Sequence, residues 1–158
     1  MPTPFLILAF FGAASTASQV SEWSNQHLVE VGVTVAKTVC GDKGPTAVEE
    51  SESPYFPGVV DRIETRRCAG GESRIFFSPM ASDPTGLPVS VFVRSASVAL
   101  PGPIRIGQSS FGIVRYLGWP HDLREGRFTY LLTESEDALV IETRGGVIVS
   151  VSWQFYTG

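Results

Sequence analysis

The chain has little positive charge, only two histidines and no long apolar run. Its 158 residues include 12 Lys and Arg against 16 Asp and Glu, which gives a formal net charge of −4. Nucleic-acid binding needs a dense Lys/Arg surface that displaces counterions from phosphates, so the composition excludes nucleic acid as the expected partner. No apolar stretch reaches the about 20 residues that a membrane-spanning helix needs. An ordinary globular domain is expected, because 43% of the residues are hydrophobic and 18% are charged.

Sequence motifs of catalysis are missing as well. A Gly-x-Ser-x-Gly elbow, a phosphate-binding loop and a dinucleotide-binding loop are all absent. His27 and His121 stand in polar segments where a solvated imidazole is expected, and the carboxylates Glu134, Glu136 and Asp137 fall in a turn region where solvated acids are usual. The sequence therefore predicts a protein that is not an enzyme, with no cofactor and no bound metal.

The first residues have the layout of an export signal. An apolar run, residues 5–14, precedes the small residues 15–18, as in the core and cleavage region of a signal peptide. We expect cleavage after Ala17, so that residues 1–17 are the signal peptide and the product is periplasmic or secreted. The alternative is a buried N-terminal strand or helix. No cysteine follows the run, so no lipid anchor is predicted.

Two cysteines, Cys40 and Cys68, are the only ones in the chain. In an oxidising compartment an even pair in a chain of this size normally closes into a disulfide. Metal binding is the alternative, but two isolated thiols lack the paired spacing of a zinc site and neither histidine stands at ligand spacing from them. We therefore predict a Cys40–Cys68 disulfide.

Residues 18–103 are predicted to form a strand-rich N-terminal part. From Leu28 onwards, valines alternate with polar residues as far as Val39, which predicts a half-buried strand. Residues 41–57 are rich in Gly, Pro, Glu and Ser and predict a solvated loop. Residues 59–77 predict a hairpin, and residues 89–93 alternate again.

Residues 104–158 are predicted to form a helix followed by a three-strand antiparallel meander. Ser109 or Ser110 is a suitable N-cap, and Gly118 and Pro120 end the helix. Two glycines, 145–146, predict a two-residue hairpin turn. In the last strand one face is expected to be buried, with Val147, Val149, Val151, Trp153 and Phe155. The fold class is therefore α+β in one compact domain, and no internal repeat or linker divides the chain after residue 17.

The helical segment resembles a motif of a known family. The residues are Gly107, Ser109, Ile113, Leu117, Gly118 and Pro120. They match the pattern of the small outer-membrane-assembly lipoproteins of the BamE (SmpA/OmlA) type, and of β-lactamase-inhibitor-like domains, in which Gly-x-Thr/Ser opens a helix and Leu-Gly-x-Pro closes it. The resemblance covers residues 104–155, about a third of the chain, and implies a fold and not a chemistry. The chain lacks the lipidated cysteine of the lipoproteins.

The candidate binding site is the loop that follows the helix. It combines aromatic and fork-shaped donor groups of the kinds that are enriched at protein–protein hot spots: Tyr116, Trp119, His121, Arg124 and Arg127. The alternative is that the aromatic side chains cover the core and the arginines are solvated.

The expected function is a non-enzymatic binding protein of the bacterial cell envelope whose partner is an envelope protein. The alternatives are a secreted or periplasmic enzyme inhibitor or immunity-type protein, and a small envelope hydrolase.

Overall fold

The structure, a computed structural model, describes residues 24–132, 134 and 136–156. The predicted signal peptide, residues 1–17, lies outside the described residues. In chain order the elements are α1 (Asn25–Thr38), β1 (Ala47–Glu52), β2 (Val60–Arg67), β3 (Gly71–Phe77), β4 (Leu87–Val93), a 3-10 helix (Gly102–Ile104), α2 (Phe111–Leu117), β5 (Asp122–Arg124), β6 (Arg127–Leu131), β7 (Ala138–Arg144) and β8 (Val147–Gln154). The protein is therefore α+β, as expected.

The eight strands form one antiparallel sheet in the order β1-β2-β3-β4-β8-β7-β6-β5. The sheet has two halves, each a helix followed by four antiparallel strands. The last strands of the two halves, β4 and β8, pair in the middle of the sheet, where Val91 lies opposite Trp153 and Val93 opposite Val151. The element order thus repeats, although the sequence shows no repeat.

One face of the sheet carries the hydrophobic core. Both α helices and the 3-10 helix contribute buried residues to a single cluster with that face: Leu28, Val35, Ala36, Ile104 and Ile113 from the helices, with Val91, Val93, Tyr130, Leu139, Ile141, Ile148, Val151 and Trp153 from the strands. The opposite face of the sheet is called the open face here. Among the described residues, no helix takes part in a hydrophobic cluster on it.

The strand predicted from Leu28 to Val39 is wrong, because this segment is helix α1. Ser24 caps the helix, and its Oγ accepts a hydrogen bond from the His27 N–H at 3.2 Å. The buried residues of α1 are Leu28, Gly32, Val35 and Ala36, at helical spacing. Packing on this face outweighs the strand preference of the valines.

The loop predicted over residues 41–57 is also wrong in part. Residues 47–52 form β1, an edge strand that pairs with β2 and whose side chains are all exposed. An edge strand with three glutamates needs no apolar face, which explains why the sequence pattern does not reveal it.

The predicted buried face of β8 is correct only at its C-terminal end. Val151 and Trp153 are fully buried, but Val147 is 40% and Val149 is 38% exposed, whereas Ile148 is 1% exposed. The register between β7 and β8 shifts at Glu142/Thr143, so that β8 carries one extra residue there. A bulge of this kind moves the following side chains to the other face.

Helix α2 ends at Gly118, where the motif predicts its end, and begins after Ser110, one of the two serines predicted as N-cap, and not after the motif residue Ser109. Ser110 is the N-cap, although its side chain makes no cap hydrogen bond, and the Phe111 N–H donates instead to Ser109 Oγ at 3.3 Å. Gly118 has a φ of +78° and its N–H donates to the Val114 carbonyl. A left-handed glycine at this position ends the helix.

The Cys40–Cys68 disulfide is confirmed, with a Cα–Cα distance of 5.6 Å. It joins the chain just after α1 to the turn between β2 and β3. Since Cys40 is 8% exposed, the bond lies at the margin of the core and fixes the C-terminal end of α1 to the sheet.

Candidate functional site

The open face has an uncharged centre across four neighbouring strands. The strand registers place two rows of side chains there, Phe92, Ser152, Val140 and Thr129 in one row and Ser90, Gln154, Ala138 and Leu131 in the other. We call these eight residues the central patch. Phe92 is 39% and Leu131 is 44% exposed, whereas Val140 and Ala138 are buried, at 5% and 7% exposed. None of the eight belongs to the core cluster that the helices join. An exposed apolar group on an uncovered sheet face is a feature of binding surfaces.

Charged side chains border the central patch on both sides. On the β3 side, Arg74 pairs with Glu49 at 3.5 Å, and Glu72 forms an ion pair with Arg67. The Glu72 carboxylate, as an acceptor and a negative charge, raises the pKa of Arg67. The open face thus combines an apolar centre with a polar border, the usual anatomy of a protein interface.

Two of the predicted site residues form the border on the other side. Arg124 and Arg127 lie directly opposite each other on β5 and β6. Arg124 pairs with Asp122 at 2.9 Å, and Arg127 lies 4.0 Å from Glu142. Both guanidinium groups are exposed and already have a carboxylate partner, so an incoming acidic group would exchange with an existing ion pair.

Trp119 and His121 lie at the start of β5. Trp119 is 80% exposed, which rules out the alternative that it covers the core. The His121 N–H donates to the Thr129 carbonyl at 2.8 Å, and His121 Nδ1 accepts the Leu131 N–H at 3.1 Å. His121 therefore fixes the segment that carries Trp119 to the β6 strand.

Tyr116 is separate from the other predicted residues. It lies on α2, where its side chain is 49% exposed and its ring centroid is 6.0 Å from the Arg115 guanidinium carbon. Since α2 contributes to the core cluster through Ile113, Tyr116 belongs to the helical layer and not to the open face.

Phe92 was not predicted as a site residue. The alternation of Val89, Val91 and Val93 indicates one buried face of β4, and an apolar side chain between them, Phe92, is out of place on a solvated face. That break in the alternation was the available signal. The partners of Phe92 on β8 come from 60 residues further along the chain and could not be inferred locally.

The described residues contain no group of three or more His, Cys, Asp or Glu that could hold a metal ion. A cavity of about 440 Å³ beside the disulfide is lined by residues that include Lys43 and Ser97 but no histidine or carboxylate. A second depression, of about 390 Å³, is lined by Asn25, His121, Leu131, Leu132 and Glu134, and no serine or cysteine nucleophile lies among them. Neither cavity has a nucleophile paired with a base.

No helix of the described part of the chain is both long and apolar enough to cross a lipid bilayer.

Tyr130 holds the segment before Trp119 in place. Its hydroxyl donates to the Gly118 carbonyl at 3.1 Å, and the side chain is 4% exposed. Burial disfavours the phenolate and raises the pKa of Tyr130 from 10.0 to about 12. The folded state therefore binds this proton more tightly than the unfolded chain does.

We predict that Tyr130→Phe lowers the free energy of unfolding by about 1 kcal/mol at neutral pH, because the hydrogen bond is lost. In the unsubstituted protein, the stability that Tyr130 contributes is complete below pH 10.0 and is lost as the pH rises through about 12. Urea titrations at increasing alkaline pH should show this loss in the unsubstituted protein but not in the variant. Equal losses in both would contradict the assignment to Tyr130.

Scans against models of protein families and searches of curated proteins and of solved structures found no match to this chain.

Proposed function

We propose that this chain is a non-enzymatic binding protein of the bacterial cell envelope, which binds a protein partner on the open face of its sheet. The observation that carries the proposal is the central patch: eight uncharged side chains on four adjacent strands, outside the core cluster that the helices join and bordered by ion pairs. Phe92 and Leu131 are its exposed apolar groups, and their burial against a partner would remove apolar surface from water, which favours binding.

The cellular location is part of the same proposal. A disulfide such as Cys40–Cys68 persists in oxidising compartments, and this supports a periplasmic or secreted protein whose residues 1–17 are a signal peptide. We further propose that residues 104–158 form the helix-and-meander unit, similar in fold to the outer-membrane-assembly accessory proteins, and that residues 18–103 form the other part of one compact domain.

The open face also favours a second function, inhibition of an enzyme or an immunity-type role. A sheet of eight hydrogen-bonded strands loses little conformational entropy when a partner packs on it. Such a sheet suits a protein that blocks another protein by covering it. The two functions share one surface and differ in the partner.

The first test uses two matched aromatic substitutions. Phe92→Arg places a charge in the central patch, whereas Phe111→Arg makes the same change at an 89% exposed position on α2. With envelope extract as the source of partner, we expect Phe92→Arg to abolish co-purification of specific proteins and Phe111→Arg to leave it unchanged. If co-purification were lost with Phe111→Arg but not with Phe92→Arg, the interface would lie on the helical layer and the proposed site would be overturned.

The second test concerns Trp119, the largest exposed aromatic side chain beside the open face. Because it is 80% exposed, Trp119→Ala should move the melting temperature very little. If Trp119 is an anchor, the variant should bind a captured partner about 2 kcal/mol more weakly, which is about 30-fold in Kd. Isothermal titration calorimetry measures this, and unchanged affinity would remove Trp119 from the interface.

A further inference from the structure

The strand registers bring several connecting segments to one end of the sheet. Glu52 lies opposite Val60, Phe76 opposite Leu87, and Ala138 opposite both Leu131 and Gln154. Since neighbouring strands are antiparallel, the segments beyond these positions all leave the sheet at the same end. We call this the loop end, and among the described residues it comprises 53–59, 78–86, 118–121, the segment 132–137 at its described positions 132, 134, 136 and 137, and 155–156.

Large apolar side chains are exposed on every one of these segments except 132–137. The exposed fractions are 75% for Tyr55, 46% for Phe56, 57% for Met80, 80% for Trp119 and 61% for Tyr156. Four of the five are aromatic. Aromatic groups at one end of a sheet, contributed by three separate segments, provide ring faces for a partner.

The same segments carry negative charge. Their described residues include four carboxylates, Asp83, Glu134, Glu136 and Asp137, and no Lys or Arg. Lys37 of α1 pairs with Asp83 at 3.4 Å and offsets its charge, so the negative charge lies mainly on the other three. The connecting segments at the other end, residues 39–46, 68–70, 94–110, 125–126 and 145–146, carry Lys43, Arg94 and Arg105 against Asp42 and Glu125. The charge difference gives the sheet an acidic, aromatic end and a weakly basic one.

A buried carboxylate lies next to segment 53–59 of the loop end. Asp61 is the second residue of β2 and is 4% exposed. Its Oδ1 accepts no hydrogen bond from the described residues, whereas a buried acceptor normally has a donor.

From this arrangement we infer that the loop end binds a Lys/Arg-rich segment of a protein partner. Aromatic ring faces attract guanidinium and ammonium groups, and carboxylates at the same end of the sheet pair with cations of the same segment. A phosphate-bearing partner, such as a lipid headgroup or nucleic acid, would be repelled by the four carboxylates. The inference rests on the proposed function and names the chemistry of the partner that meets this end of the sheet.

The test uses a deca-arginine peptide as the probe, with a deca-glutamine peptide for comparison, on the full chain. Amide chemical-shift changes should appear at Tyr55, Trp119 and Glu134 with deca-arginine, and should be absent with deca-glutamine. Changes that are spread over the acidic strand β1, with none at the loop end, would show non-specific charge attraction and overturn the inference.

Matched variants separate a specific site from net charge. Glu134→Gln/Glu136→Gln removes two charges at the loop end, and Asp42→Asn/Glu125→Gln removes two from exposed positions at the other end of the sheet. We expect the first variant to weaken deca-arginine binding about five-fold or more and the second less than two-fold. Equal weakening by both variants would overturn the inference.

The proposed function can fail independently. A captured envelope partner that is lost with Phe92→Arg but retained fully by Glu134→Gln/Glu136→Gln would overturn the cationic-segment inference and leave the open-face proposal standing. A partner that is retained by Phe92→Arg and lost with Glu134→Gln/Glu136→Gln would overturn the open-face proposal and support binding at the loop end.

Discussion

Removing the disulfide, in the Cys40→Ser/Cys68→Ser variant, is expected to lower the free energy of unfolding by roughly 3–4 kcal/mol. The bond closes a loop with a sequence separation of 28, and in the chain-entropy model a loop of this length restricts the unfolded chain by about that amount. The loop contains all of β1 and β2, while α1 ends just before it. Because the unfolded chain then exposes more surface, the loss should appear as a lower urea midpoint together with a somewhat larger denaturant slope.

Thiol titration provides the control for this prediction. The unfolded, unreduced protein should show no reactive thiol, and reduction alone should reproduce the stability loss of the double variant. A loss below about 1 kcal/mol would mean that the unfolded chain is already restricted in this region. Two free thiols in the native protein would contradict the disulfide itself.

The disulfide was predictable because it depends on residue type and compartment. Helix α1 was not predicted, because two patterns coincide in residues 28–39. The alternating valines indicate a strand, whereas Leu28, Gly32 and Val35 have helical spacing and Ser24 is a helix N-cap. The tertiary packing of Gly32 against β8 selects the helix, and a sequence pattern taken alone does not contain that contact.

Elements with local signals were predicted well. The glycines 145 and 146 both have positive φ, 58° and 76°, and form the expected two-residue turn between β7 and β8. Gly118 ends α2 for the same conformational reason. By contrast, the pairing of β4 with β8 joins residues about 60 positions apart, and no local pattern encodes such a register.

The candidate site likewise combines residues that the sequence reveals locally with a surface that only long-range strand pairing creates. Trp119, Arg124 and Arg127 were recognisable from residue type and lie at the side of the open face. The central patch was not recognisable, because it forms only when four strands from the two halves of the chain align. Single residues of the site can therefore be predicted from composition, whereas the surface depends on long-range register.

The second large effect concerns Gly32, where α1 crosses β8. A Cβ at this position would lie 2.5 Å from Trp153 Cδ1 and 2.9 Å from Phe155 Cζ. The Phe155 ring atom is the far end of a side chain, but the Trp153 atoms are not. Trp153 is fully buried, and its Nε1–H donates to the Leu28 carbonyl at 3.0 Å. The indole is thus held between the sheet and the helix backbone and cannot move aside.

Gly32→Ala should consequently lower the free energy of unfolding by about 2–3 kcal/mol, although alanine is the better helix former by about 1 kcal/mol. Gly112→Ala in α2 is the matched control, because its Cβ would lie 3.5 Å from the half-exposed Tyr116 ring, an ordinary contact. That variant should be more stable than the parent by up to about 1 kcal/mol. Urea unfolding of both variants measures the difference. A stabilised Gly32→Ala variant would show that α1 does not lie against Trp153, and would remove the helix from this position on the core face.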